Sequence, residues 1–423
     1  MLGGILMGMT LAEKILARAS GREVVKPGEY VTADIDLAMA HEGFAAVYLG
    51  LLGAGINRVW DPDKIVVLLD HAVPAPNVRY AGIHKMVREA VKKLEIRNFY
   101  DVKAGICHQV LQEKGHVLPG MLIVGTDSHT TTYGALTAAG TGIGFTEMAY
   151  VFATGKLWFR VPETIRFELS GKPPYNVMSK DVILKLLGEY SAEAAQYKSV
   201  EFTGSLSSEL SISSRMTMTN MALEMGAKFA FFETDQKTID YLKNRTTKPI
   251  QNLKADEDAS YEKIIEVDVT DLEPQVAEPY TVDNVKPVTE VEGIPVNQAL
   301  LGSCTNGRLE DLRVASKILE GREVHPDTRL IVTPASTEVY REALKEGILE
   351  TIIDAGGIIS NPTCGACFGT HMGVLAAGEV CIASINRNFK GRMGDSESRV
   401  YLASPATVAA SAIEGKIADP RKY

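Results

Sequence analysis

Met121-Leu122-Ile123-Val124-Gly125-Thr126-Asp127-Ser128-His129-Thr130 sets four apolar residues directly against a polar, glycine-led cluster. A short apolar run bounded by turn residues reads as a buried strand. The same grammar recurs in Lys64-Ile65-Val66-Val67-Leu68-Leu69, which ends at Asp70-His71, and in Arg329-Leu330-Ile331-Val332, which ends at Thr333-Pro334. Amphipathic helical stretches separate such runs, and that alternation predicts the α/β class. In open α/β sheets ligands gather beyond the carboxyl ends of strands, so the three polar clusters are candidates for one site.

Working outward, two seams divide the 423 residues. Around Val161-Pro162-Glu163-Thr164 a helix-like stretch gives way to a new strand, Ile165-Arg166-Phe167-Glu168-Leu169. From about Asp271 to Gly293, Pro274, Pro279 and Pro287 mark an extended linker. The reading is three α/β domains, 1–162, 163–284 and 285–423, with no internal repeat. Apolar residues at 45% and charged residues at 23% are the balance of a soluble globular chain able to bury large cores. No run of 18 uncharged apolar residues occurs, so no membrane span is expected. The apolar opening from Met1 to Met9 lacks a basic start and soon meets Glu13 and Lys14; it reads as the lead-in to a first helix, not as a signal peptide. A net charge of −9 speaks against a nucleic-acid partner. Five cysteines are too few and too odd in number for a secreted disulfide framework, which points to the cytoplasm.

Cysteine spacing is the most informative feature. Cys304, in Gly302-Ser303-Cys304-Thr305-Asn306, follows the apolar run Val296 to Leu301, just past a strand end. Sixty residues on, Cys364-Gly365-Ala366-Cys367 lies in a loop punctuated by Pro362 and Gly369. A Cys-x-x-Cys turn serves as a redox pair, as half of a zinc site for which His371 is a nearby further ligand, or as two corners of a metal cluster. Three thiolates without a fourth would hold a [4Fe–4S] cluster by three corners and leave one iron open as a Lewis acid. Cys107 and Cys381 are weaker candidates, the latter inside the apolar run Val380-Cys381-Ile382-Ala383.

Of eight histidines, His71, His108 and His129 stand in polar loops near strand ends, His71 and His129 with Asp70 and Asp127 close by in sequence. A carboxylate beside an imidazole fixes its tautomer and raises its pKa, which suits proton transfer. Asn386-Arg387-Asn388-Phe389-Lys390-Gly391-Arg392-Met393-Gly394 brings two guanidinium groups into a glycine-containing loop. A solvated basic loop is the plain reading; the fork geometry of arginine favours carboxylate binding.

Taken together, Asp127-Ser128-His129, Gly302-Ser303-Cys304-Thr305-Asn306, Cys364-Gly365-Ala366-Cys367 and Asn386-Arg387-Asn388-Phe389-Lys390-Gly391-Arg392 resemble the aconitase superfamily, in its order and at its spacings over nearly the whole chain. The size and the stretch Thr305 to Arg313 most resemble the large subunits of 3-isopropylmalate dehydratases and homoaconitases. The resemblance implies three α/β domains around a cluster-binding cleft, with a [4Fe–4S] cluster on Cys304, Cys364 and Cys367. It implies a hydro-lyase that isomerises a malate-type hydroxy acid, first of all 3-isopropylmalate in leucine biosynthesis. Homoaconitase or a dialkylmalate dehydratase is the alternative. Asp70 and His71 would protonate the departing hydroxyl, while His108, Asp127, His129 and Glu224 would line the site. Ser128, Arg387, Arg392 and His41 would contact a di- or tricarboxylate substrate, and Asn220, Ser303, Asn306 and Asn386 would support the cluster.

Single-chain members of the family carry a swivelling fourth domain whose Gly-rich Ser-Arg motif supplies a serine base. No such segment is found before Tyr423, so the expectation is a separate small subunit, in a heterodimer or heterotetramer. A departure follows His41-Glu42-Gly43, where relatives usually carry a hydroxyl residue and this chain has Phe44. The expectation is a more apolar wall of the site and a less polar substrate such as a dialkylmalate. Apo-forms of some family members bind RNA, but the net charge and the lack of a basic, aromatic-interleaved stretch oppose that here.

Overall fold

A computed structural model describes residues 8–369 and 371–423; Met1 to Met7 of the apolar opening lie outside the described residues. The first helix, Leu11–Ser20, starts at a capping box in which Thr10 accepts the Glu13 N–H and Glu13 accepts the Thr10 N–H. No helix among the described residues is long and apolar enough to cross a membrane.

Strand runs and helices alternate into parallel sheets, as the sequence predicts. One sheet orders its strands Asn98–Tyr100, Ile65–Leu68, Leu37–Ala40, Leu122–Gly125 and Ala139–Gly142, all parallel. Its three central strands are buried at every position, which explains their uninterrupted Val, Ile and Leu runs. The chain starts at Leu37–Ala40, steps outward twice, then returns to the other side for Leu122–Gly125. The winding therefore reverses between Leu37–Ala40 and Leu122–Gly125.

A second sheet runs Phe229–Phe232, Ser199–Thr203, Thr164–Ser170 and Lys263–Asp268, again parallel. Phe167, Phe202 and Phe232 stack in its core at 5.9 and 5.2 Å between ring centres. The third sheet has seven strands, of which Arg399–Leu402, Val380–Ala383, Gln298–Gly302, Arg329–Thr333 and Ile358–Ile359 are parallel neighbours. Here the winding reverses between Gln298–Gly302 and Val380–Ala383.

The stretch from Asp271 to Gly293 corrects the linker reading. Gln275–Ala277 and Val285–Pro287 pair antiparallel and extend the seven-stranded sheet at its edge. Pro287 closes the outermost strand, where a missing N–H costs no ladder bond. At the first seam, a strand, Lys156–Arg160, intervenes between the helix Phe145–Thr154 and the strand at Thr164; it pairs with Tyr30–Asp34.

Candidate active site

In a doubly wound sheet, the loops at the reversal of strand order splay apart and open a crevice at the carboxyl ends. Both reversals here carry predicted site residues. His41 follows Leu37–Ala40 and Asp127 follows Leu122–Gly125; Cys304 follows Gln298–Gly302 and Asn386 follows Val380–Ala383. The four converge on one region. A cavity of about 110 Å³ is lined by Cys304, Cys364, Cys367, His71, His108 and Arg387, with Asp127, Ser128, His129, Asn386, Arg392, Cys107 and Phe368 among the remaining wall.

Local backbone explains how Cys304 gets there. Gly302 holds φ at 147°, and a Cβ there would meet the Thr333 carbonyl oxygen at 2.5 Å, so the strand can turn into the helix Ser303–Asn306 only through glycine. Arg308, fully enclosed, then donates to the carbonyl oxygens of Cys304 and Thr305, each at 2.6 Å. All three thiols are free and buried. Asn220 and Asn386 aim amide N–H groups at Cys304 Sγ from 3.3 and 3.4 Å, and Arg392 Nη2 lies 3.4 Å from Cys367 Sγ. Contact with Cys364 holds the Cys304 thiol well below its ordinary range. The same contact, with Arg392 beside it, brings Cys367 to about 6. Converging thiols surrounded by N–H donors suit a soft, electron-poor metal centre. His371, the further ligand a zinc site would need, packs behind Gly365 and does not line the cavity. The donor set fits the iron–sulfur group that the sequence resemblance implies.

Opposite the thiols runs a web of acids and imidazoles. His71 Nδ1 lies 2.6 Å from Asp70 Oδ1, and its Nε2 lies 3.2 Å from Asp127 Oδ2. Burial pulls the His71 imidazolium down, but the carboxylates of Asp70 and Asp127 outweigh it and raise its pKa well above the ordinary value. Asp127 Oδ1 meets His108 Nε2 at 2.8 Å and accepts the His129 N–H at 2.8 Å. His129 Nε2 lies 2.7 Å from Glu224 Oε1, and the same oxygen accepts Arg387 Nε at 2.8 Å. Burial lowers the His129 pKa, yet Asp127 and Glu224 lift it to about 9. Arg387 Nη1 also reaches Ser128 Oγ at 3.2 Å.

Other expected residues stand further back. His41 packs against His71 with its ring tilted 32° and ring centres 4.4 Å apart, and accepts the Gly43 N–H rather than lining the cavity. Ser303 Oγ accepts the Thr305 N–H, and Asn306 donates to Asp311 and Thr217, so both brace the turn that carries Cys304. Phe44 corrects the apolar-wall expectation. It is fully buried against Phe152, ring centres 5.8 Å apart, because it is the first inward residue of the helix Phe44–Gly53. The aromatic residue on the wall is Phe368, edge-on to His71 at 5.3 Å.

Sequence reasoning missed Glu42, Lys180 and Arg308. Lys180 is enclosed and donates to the carbonyl oxygens of Ser384 and Ile385, at 3.1 and 2.5 Å, just before Asn386. Glu42 accepts three successive backbone N–H groups at Asp70, His71 and Ala72. For Glu42 the adjacent His41 was a signal; Lys180 sits in an ordinary amphipathic helix and gave none.

The cavity lies where two parallel sheets reverse their winding, and the chain belongs to the aconitase family: the family model, described as Aconitase family (aconitate hydratase), matches residues 13–293 and 284–415. Within that family it is 57% identical over 418 residues to the 3-isopropylmalate dehydratase large subunit 1 of Methanopyrus kandleri, covering 99% of this chain and 100% of that one. It is 52% identical over 422 residues to the probable methanogen homoaconitase large subunit of Methanothermobacter thermautotrophicus, covering 99% of each. The Aquifex aeolicus 3-isopropylmalate dehydratase large subunit is 49% identical over 98% of this chain and 97% of that one.

Proposed function

We propose that this chain is the large, cluster-binding subunit of a hydro-lyase of the 3-isopropylmalate dehydratase type, acting in leucine biosynthesis with a separate small subunit. The observation that carries the reading is the meeting of three free thiols with the His71 acid pair on one cavity. The five-, four- and seven-stranded sheets fall mainly within 1–162, 163–284 and 285–423 and support that division, except that Gln275–Ala277 joins the third of them.

Cys304, Cys364 and Cys367 would hold a [4Fe–4S] cluster, which when bound supplies an open Lewis-acid corner for the substrate hydroxyl. The carboxylates of Asp70 and Asp127 favour the protonated ring of His71, which delivers the Nε2 proton to the departing hydroxyl, while Asp70 keeps Nδ1 occupied and the ring oriented. Arg392, and Arg387 with Ser128, bind the carboxylates and strengthen their hold as charge grows during loss of the carbon proton. The small subunit's serine takes that carbon proton. Departing hydroxyl and the His71 proton together leave as water, and readdition in the other orientation returns the isomeric acid.

The test is anaerobic reconstitution with iron and sulfide, addition of the cognate small subunit, and hydration assays with isopropylmaleate and homoaconitate side by side. Preference for isopropylmaleate is expected. The 52% identity to a homoaconitase large subunit favours homoaconitate as the second reading, and preference for it would select that one. A colourless protein holding one zinc and no iron would overturn both.

A further inference from the structure

We propose that Glu42 is the positioning residue for the acid, fixing the Asp70–Ala72 backbone so that His71 faces the cavity; its effect on turnover rests on the hydro-lyase reading above. Glu42 follows the strand Leu37–Ala40, whose neighbour Ile65–Leu68 delivers Asp70 and His71. Its Oε1 accepts the N–H groups of Asp70, His71 and Ala72 at 3.1, 2.9 and 3.0 Å. Three consecutive amides converging on one buried carboxylate oxygen form an anion-holding nest, here filled by the protein's own side chain.

The same segment is gripped from its other side. Thr363 Oγ1 donates to the carbonyl oxygens of Asp70 and His71 at 2.8 and 3.2 Å, and the Cys364 N–H donates to that of Asp70 at 2.9 Å. Donors of the segment are thus spent on Glu42 and acceptors on the Cys-x-x-Cys loop. His71 is consequently aimed by its backbone as well as by Asp70. Glu42 Oε2 lies 3.7 Å from His71 Nδ1 and 3.9 Å from His41 Nδ1, too far for a hydrogen bond. Glu42 therefore acts through the backbone and exchanges no proton with the ring.

Three variants test this. Glu42→Gln keeps a side-chain oxygen for the three amides, Glu42→Asp withdraws it by one methylene, and Glu42→Ala removes it. In the reconstituted two-subunit enzyme, Glu42→Ala is expected to lower kcat roughly 100-fold with KM changed less than about threefold, the signature of a misaimed catalytic group. Glu42→Asp falls between, and Glu42→Gln loses less than about tenfold. On the isolated chain, the downfield proton resonance of His71 Nδ1, assigned by its loss in His71→Gln, should persist in Glu42→Gln and vanish in Glu42→Ala. Wild-type kcat and an intact resonance in Glu42→Ala would overturn the proposal. Equal losses in the Gln and Ala variants would also overturn it, because charge rather than anchoring would then matter. Should Glu42→Ala not fold, the Gln–Asp comparison decides in the same way. A wild-type pair inactive on every acid would instead count against the hydro-lyase reading, while the resonance comparison still judges the anchor.

Discussion

Glu201 is a buried carboxyl whose ionisation the fold opposes, and replacing it by glutamine gives a gain in stability that depends on pH. It sits 1% exposed in the strand Ser199–Thr203, where Oε1 accepts the Leu11 N–H at 2.7 Å and Oε2 accepts the Tyr261 hydroxyl at 2.8 Å. Burial pushes its pKa from the ordinary 4.5 up to about 7, since two hydrogen bonds replace only part of the lost hydration. Below pH 4.5 the group is neutral folded and unfolded, and the fold bears no penalty. Between there and about 7 the folded protein binds more protons than the unfolded chain, so stability falls as pH rises. At about 1.4 kcal/mol per pH unit the interval amounts to about 3 kcal/mol, fully expressed above pH 7. Glutamine is neutral throughout, its carbonyl can accept the Leu11 N–H, and its amide can donate to the Tyr261 oxygen. Urea unfolding of the wild type and Glu201→Gln at pH 5 and pH 8 should show little difference at the first. At the second, the variant should be more stable by up to about 3 kcal/mol. A gain of equal size at both pH values, or none at pH 8, would refute the reasoning.

Serine at Cys304, Cys364 or Cys367 is expected to abolish the visible iron–sulfur absorbance after reconstitution and to lower bound iron, read by metal analysis, while Cys381→Ser leaves both unchanged. His71→Asn should keep that absorbance yet cost about 10²–10⁴ in kcat, the usual worth of a general acid. Phe44→Thr should cost about 3–5 kcal/mol, as large aromatic truncations in cores do, and lower the thermal midpoint while the ratio of rates on isopropylmaleate and homoaconitate stays the same.

The strands and the thiols were legible because their signals are local. Runs such as Ile65-Val66-Val67-Leu68 are apolar throughout because both faces of a parallel strand are covered, and the polar residues after them mark the carboxyl ends. The edge hairpin at Gln275–Ala277 and Val285–Pro287 was hidden because prolines that suit an outer strand also suit a linker. Phe44 misled because adjacency in sequence to His41 says nothing about which face of a helix a side chain takes. Lys180 and Arg308 were invisible for another reason: their work is to satisfy carbonyl oxygens of the turns that carry Asn386 and Cys304, and which carbonyls need a donor is decided only by tertiary packing.

The proposed chemistry lies at the carboxyl rim of the seven-stranded sheet's parallel strands, away from their amino rim. The helix Leu309–Leu319 carries the chain back there, to Gly321, where a φ of 69° opens onto space with nothing within 4 Å of an added Cβ. An affinity tag or fluorophore spliced between Gly321 and Arg322 would hang a whole helix length from the thiols, giving a handle for following assembly without touching the reacting end.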